Sequence, residues 1–164
     1  MANKFEVEVR NGLKQFEHCF FYSKFFDNPF AFQTNPFDFF VISKEHGAHA
    51  IECKYSQNDI FNLARVKEHQ KDALLLFKKN AGYSWILICL RSKEKTRVWR
   101  LSIDEFIEIK ETFRKKSLNS YDFEELKIAE IKRVKYHLEN NTNKNRVVYG
   151  WDMSWILGYS WSCV

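Results

Sequence analysis

Glycine and proline are scarce in this chain. Five glycines and two prolines among 164 residues leave no Gly-rich loop in which backbone N–H groups could cradle a nucleotide's phosphates, and no turn-rich linker dividing the chain. The four cysteines, Cys19, Cys53, Cys89 and Cys163, are far apart and form no C-x-x-C pair. That spacing excludes a clustered structural zinc site and a disulfide framework, so reduced thiols in a cytoplasmic protein are expected. No uncharged run is long enough to span a bilayer, and no signal-peptide h-region is present. The apolar stretch from Arg146 is interrupted by Asp152 and two glycines, so no membrane partner is expected. No internal repeat is evident, and no Ser or Cys nucleophile is paired with a base.

Apolar and aromatic residues are abundant. Hydrophobic residues make up 45% and aromatics 17%, with 16 Phe, enough for one packed domain without covalent staples. The formal charge of +5 with a pI near 9.0 favours a polyanionic partner. Alternation of Phe5, Val7 and Val9 predicts a short strand over Lys4–Arg10, and Asn11-Gly12 opens a helix to about Phe26. A connection over Asn28–Pro36 leads to a hairpin turning at Lys44–Gly47, then a long helix over Asp59–Asn80. Tyr83–Leu90 predicts a central strand and Val98–Leu101 another; Ser102-Ile-Asp-Glu105 is a capping-box signature for a helix to Lys116. A last helix over Tyr121–Asn140 precedes an aromatic tail. Helices and strands alternating in this way predict an α/β sandwich.

The hairpin carries the chemistry. Asp38, Glu52 and Lys54 are charged residues in otherwise apolar strands, where an uncompensated charge is costly. Glu52 and Lys54 share a face because side chains alternate along a strand. A symmetric turn near Glu45 would set Asp38 opposite Glu52. Two carboxylates that close require a cation between them or a shared proton, and Mg²⁺, hard and oxygen-loving, fits. Lys54 beside it would orient the attacking water or stabilise charge developing on phosphorus. Gln70 falls within the apolar stripe of Leu63, Val66, Ala73 and Phe77, either as a core amide bonded to backbone or in the metal's shell. Glu17 shares a helix face with Leu13 and Phe20, aimed at the hairpin or exposed beside His18. His46 and His49 flank the turn, where exposure is expected.

These residues resemble the RecU-type Holliday junction resolvases of the PD-(D/E)xK nuclease superfamily. The matching pieces are Glu17, Asp38-Phe39, Ile51-Glu52-Cys53-Lys54, His69-Gln70, Ala81-Gly82 leading into Trp85-Ile-Leu-Ile88, Arg114-Lys-Lys-Ser-Leu118 and Trp151-Asp-Met-Ser-Trp155. The resemblance implies a restriction-endonuclease-like core, a central mixed β-sheet flanked by helices. It implies a single nuclease domain over 1–164, with its core at about 11–116 and a C-terminal helix and tail at 121–164. The implied activity is Mg²⁺-dependent endonuclease action (Mn²⁺ substituting) by a homodimer on branched DNA. Asp38, Glu52 and Gln70 would surround the metal, with Lys54 and Glu17 completing the catalytic set. Two departures stand out. Pro36 occupies the place of the family's further metal-contacting Thr, leaving Thr34 or Asn35 as substitutes. Only Phe21–Phe37 separates the first helix from the hairpin, too little for the family's stalk and closer to archaeal and phage resolvases, which suggests a phage or reduced-genome source.

Lys14, Lys71, Arg97, Arg100, Arg114, Lys115 and Lys116, with Lys132 and Arg133, are the candidates for phosphate contact. Tyr149, Trp151, Trp155, Tyr159 and Trp161 suggest core or dimer packing, with base stacking as the alternative. Two rival functions stand beside junction resolution. One is another structure-specific or restriction-like nuclease; the other is a non-catalytic DNA-binding module, against which the intact charges argue.

Overall fold

The computed structural model describes residues 4–25, 35–80, 82–138 and 146–157. Helix α1 (Lys4–Gln15) precedes strands β1 (Cys19–Lys24), β2 (Phe39–Ser43), β3 (Gly47–Ser56) and β4 (Phe61–Asn62). Then come α2 (Glu68–Asn80), β5 (Gly82–Arg91), β6 (Thr96–Ser102), α3 (Ile103–Thr112), β7 (Ser117–Leu118) and α4 (Ser120–Glu125). Strands β8 (Ala129–Ile131), β9 (Arg133–Leu138) and β10 (Arg146–Trp151) and helix α5 (Ser154–Leu157) complete the order. Six strands form one mixed sheet in the order β1-β2-β3-β5-β6-β8. The β3–β5 pairing is parallel and its neighbours are antiparallel, so the expected central mixed sheet flanked by helices is what the chain forms.

Both faces of the sheet are covered. Leu74 of α2, Phe106 and Ile109 of α3 and Phe123 of α4 pack on Ile86, Ile88, Trp99 and Leu101. Across the sheet, Phe5, Val9 and Leu13 of α1 and Trp151, Met153 and Leu157 pack on Val41, Ile51, Leu87 and Val98. The near-continuous apolar run in β5 follows from this double cover, since neither set of alternating side chains meets water. Helix α1 lies close on β10: a Cβ at Gly12 would sit 2.2 Å from the Trp151 carbonyl oxygen. The ring of Trp151 packs edge-on to Phe5 at 6.2 Å, so this member of the aromatic tail is core. The side chain of Trp155, and residues Tyr159 and Trp161, lie outside the described residues.

Several predicted elements differ from those formed. Lys4–Arg10 is helical, because Phe5, Val9 and Leu13 form a buried i, i+4, i+8 stripe. The alternation with half-exposed Val7 is incidental. That helix ends at Gln15, and the residues expected to continue it form the edge strand β1, with Phe20 75% exposed. The connection expected over Asn28–Pro36 lies largely outside the described residues. Asp59–Asn80 is helical only from Glu68: Phe61-Asn62 pairs with Ser117-Leu118, and the Asn62 side chain then caps a short 3₁₀ turn. The capping box at Ser102 and Glu105 is present, with the helix ending at Thr112. Tyr121–Asn140 is not one helix. Lys127 takes a left-handed conformation (φ 55°) after α4, and the β-branched residues beyond it enter β8 and β9.

His49 is buried, contrary to the expected exposure. Its Nδ1 accepts from Trp85 Nε1–H at 3.1 Å, which leaves Nε2–H to donate to Ser43 Oγ at 3.0 Å. Burial pushes its pKa down to about 4. The unfolded chain therefore binds an extra proton between the ordinary histidine range and that value. Stability from this group is present above pH ~6.5 and lost as pH falls through about 4, on the order of 3 kcal/mol in total. In urea unfolding, the wild type should lose about that much stability relative to His49→Gln as pH falls across that window, which isolates this group from others titrating there.

Candidate functional site

The site is built at the end of the β2–β3 hairpin. The ladder pairs Phe39 with Ile51 and Ser43 with Gly47, the symmetric register that sets Asp38 beside Glu52. Asp38 is held by backbone: its N–H donates to Ile51 O at 3.1 Å, and its Oδ2 accepts from Cys53 N–H at 2.7 Å. Because β3 is sandwiched, Glu52 is 2% exposed. Glu52 and Lys54 face α2, and Gln70 on the first turn of α2 meets them.

The contacts among these three are specific. Lys54 Nζ donates to Glu52 Oε1 at 2.6 Å and to Gln70 Oε1 at 2.8 Å. Gln70 Nε2 donates to Glu52 Oε1 at 2.7 Å. The Lys67 N–H donates to Gln70 Oε1 at 3.2 Å. Both lone pairs of the Gln70 carbonyl are thus engaged, and Gln70 ties Glu52 to Lys54 in this arrangement. Glu52 Oε2 is buried with no hydrogen-bond partner among the described residues.

Electrostatics follow from the burial. Desolvation raises Asp38 to about 6, against the pull of the Cys53 N–H and with a further push from Glu6. Desolvation also raises Glu52 to about 7, with the Asp38 charge adding to it and Lys54 opposing. A buried pair of acids, one with an oxygen lacking a donor, is poised to exchange protons for a cation.

Glu17, expected to join this site, does not. It lies past the end of α1 with its side chain 86% exposed, beside His18. His18 in turn reaches Glu45 at the hairpin turn, the far end from Asp38. The acid that α1 does supply is Glu6, missed because its segment was expected to be a strand. Its carboxylate pairs with Lys24 of β1 at 2.5 Å and acts on both Asp38 and Glu52. The signal that would have found it is the Phe5, Val9, Leu13 stripe, which places residue 6 on the helix's flank.

The expected phosphate contacts divide. Arg97 is engaged with Glu124 and Glu130 and lies over the Trp99 ring. Arg100 is buried against Trp85, and Arg133 is paired with Glu8 over Tyr149. All three arginines are thus engaged within the fold, Arg100 buried and Arg133 still exposed. Lys71 pairs with Glu68 on the surface beside Gln70. Lys14, Lys132, Arg114, Lys115 and Lys116 are exposed, with Lys115 paired to the buried Asp122. Thr34 lies outside the described residues, and Pro36 offers no side-chain oxygen.

Among the described residues no three His, Cys, Asp or Glu side chains gather as a metal cluster, and no helix is long and apolar enough to cross a membrane. The sequence model of the family described as Recombination protein U, RecU, matches residues 33–144. Among solved structures, the chain is similar to Hjc, a Holliday junction resolvase from Archaeoglobus fulgidus. The two share 10% identity with a TM-score of 0.49, over 75% of this chain and 92% of that one. No curated protein matches the chain.

Proposed function

The chain belongs to the RecU family, whose model covers more than half its length, and from that premise we propose that it is a Mg²⁺-dependent endonuclease resolving four-way DNA junctions. One observation carries the chemistry: a buried Glu52 oxygen without a donor, next to a second carboxylate of raised pKa, with an ammonium group fixed alongside. Asp38 and Glu52 Oε2 would hold the ion. Two carboxylates suffice because Mg²⁺ usually keeps several waters. When bound, it supplies Lewis acidity toward the phosphoryl oxygen and lowers the pKa of a coordinated water.

The protein's own residues supply placement and charge. Lys54, held by Glu52 and Gln70 at once, presents a positive charge where negative charge grows on the phosphoryl group. Glu6 on α1 adds a third carboxylate at the edge of the site, a substitute for the role expected of Glu17. Gln70 positions the other two. Gln70→Ala should therefore lower the single-turnover cleavage rate roughly 10- to 100-fold while a gel shift records unchanged junction binding. Lys71 and the exposed cations of the Arg114–Lys116 segment supply phosphate contacts, which makes affinity fall steeply with salt. A twofold homodimer would present two such sites in the symmetry of a junction, giving paired cuts.

The test is incubation with Mg²⁺ and labelled junction, flap and duplex DNA. Paired cutting of the junction in preference to the other substrates is expected. No cutting by the wild type would overturn the enzyme reading, and equal cutting of every substrate would overturn the resolvase one. Sedimentation of the free protein tests the dimer.

A further inference from the structure

Next to the site lies a cleft of about 550 Å³ that the catalytic arrangement does not use. One wall is the segment Asn62–Glu68; the other is Lys110 and Phe113–Lys116. The floor is apolar, with Leu63 and Val66 buried and Phe113 partly buried. The rim is cationic: Lys67, Lys110, Arg114, Lys115 and Lys116 stand against one carboxylate, Glu68, which already pairs with Lys71 and Lys110. Among the described residues the side chains of Lys67, Arg114 and Lys116 are without a hydrogen-bond or ion-pair partner.

Two features separate this cleft from an ordinary solvated basic face. Its walls are tied together by backbone: β4 pairs with β7, and Leu63 N–H donates to Lys116 O at 3.1 Å. The cleft is therefore preformed. It also adjoins the reaction site through one residue, since Lys67 lines the cleft while its N–H holds the Gln70 oxygen that also takes Lys54. An apolar floor with an aromatic ring and a phosphate-seeking rim matches the two halves of a nucleotide, and 550 Å³ lies within the usual range for small-ligand pockets.

We infer that this cleft receives an unstacked nucleotide of the cleaved DNA strand beside the scissile phosphate, its base against Phe113 and its phosphates on Lys67, Arg114 and Lys116. The inference rests on the junction-nuclease reading and deepens it. Base pairs flanking a branch point have weakened stacking and open most easily, and a base held here fixes which phosphate reaches Lys54. The pocket is then the source of any sequence preference in cutting.

The experiment places 2-aminopurine, whose fluorescence rises on unstacking, at each nucleotide flanking the mapped cut. Binding is followed with magnesium withheld. A rise confined to one or two flanking positions is expected. It should be lost in Phe113→Leu, which keeps apolar bulk without a stacking face, together with roughly a 5- to 150-fold slower single-turnover cleavage. Arg114→Glu, on the exposed rim, gives a second reading independent of packing and should shallow the salt dependence of junction binding. Normal cutting with no rise at any position, or a rise that persists in Phe113→Leu, would overturn the pocket while leaving the nuclease. A wild type that cuts no junction removes the premise, and the inference fails with it.

Discussion

Asp38→Ala is expected to slow junction cleavage by roughly a thousandfold, the upper end for losing one transition-state stabilising group, because the ion it would hold goes with it, while junction binding changes only severalfold. The asymmetry follows from what Asp38 touches. Its carboxylate shares the site with Glu52, so its loss leaves one acid where an ion needs two. Phosphate contacts on the rim and on Lys71 are untouched. The variant carries a structural cost as well. Asp38 Oδ2 accepts the Cys53 N–H at 2.7 Å, and alanine leaves that donor unpaired near the end of the hairpin ladder, at about 1–3 kcal/mol. Asp38→Asn separates the two effects: the amide oxygen still accepts from Cys53 but gives a poor, neutral ligand. Cleavage should be lost in both variants, with Tm reduced only in the alanine one. Cleavage by Asp38→Asn within tenfold of wild type would show that Asp38 is a turn residue and not a ligand.

The heart of the site was legible because a hairpin obeys a parity rule. Asp38 and Glu52 are equidistant from Glu45, and a turn without a bulge leaves no register but the one observed. Gln70 was legible for a different reason: a polar residue in an apolar stripe needs partners, and here Lys54 and Glu52 are its partners. In the structure it ties those two together. The acid from the first helix was misassigned because two periodicities overlap in Phe5–Leu13. A strand reading hides Glu6, and a helix begun too late promotes Glu17. The arginines show a limit of composition. Arg97, Arg100 and Arg133 read as phosphate contacts, yet each finds an aromatic face, Arg97 and Arg133 also with acids far away in sequence. No local pattern announces such pairings.

The fold was legible where burial is uniform and obscure where short elements meet. β5 lies in the middle of the sheet, and its apolar run has no competing reading. The Asp59–Asn80 segment contains a two-residue strand, a 3₁₀ turn and then α2, all apolar at helical spacing. What splits it is the pairing of Phe61 with Leu118, a contact between residues far apart in sequence. The same pairing builds the cleft beside the site, so the feature least visible in the sequence is also the one that suggests a nucleotide pocket.

Mg²⁺ affinity should rise steeply with pH, because the two acids that would hold the ion keep their protons into the neutral range. With Glu52 raised to about 7 and Asp38 to about 6, both are ionised at pH 8 and both largely protonated at pH 5.5. Binding must displace those protons, so affinity should fall roughly a hundredfold across that interval. Calorimetry in buffers of different ionisation enthalpy would count the protons released. The sign for stability runs the other way in the metal-free protein. The folded pKa values of these acids lie above the unfolded ones, so their contribution is most favourable below pH ~4 and is lost as pH rises through 6 to 7. His49, with its lowered value, loses stability in the opposite direction, as pH falls from about 6.5 toward 4. Without metal the two trends oppose, but two acids outweigh one imidazole, so Tm should fall as pH rises from about 5 to 8. Saturating Mg²⁺ removes the carboxylate repulsion and should leave the His49 trend alone, so that added metal raises Tm at pH 8 far more than at pH 5. An equal rise at both values would mean that the ion does not bind at Asp38 and Glu52.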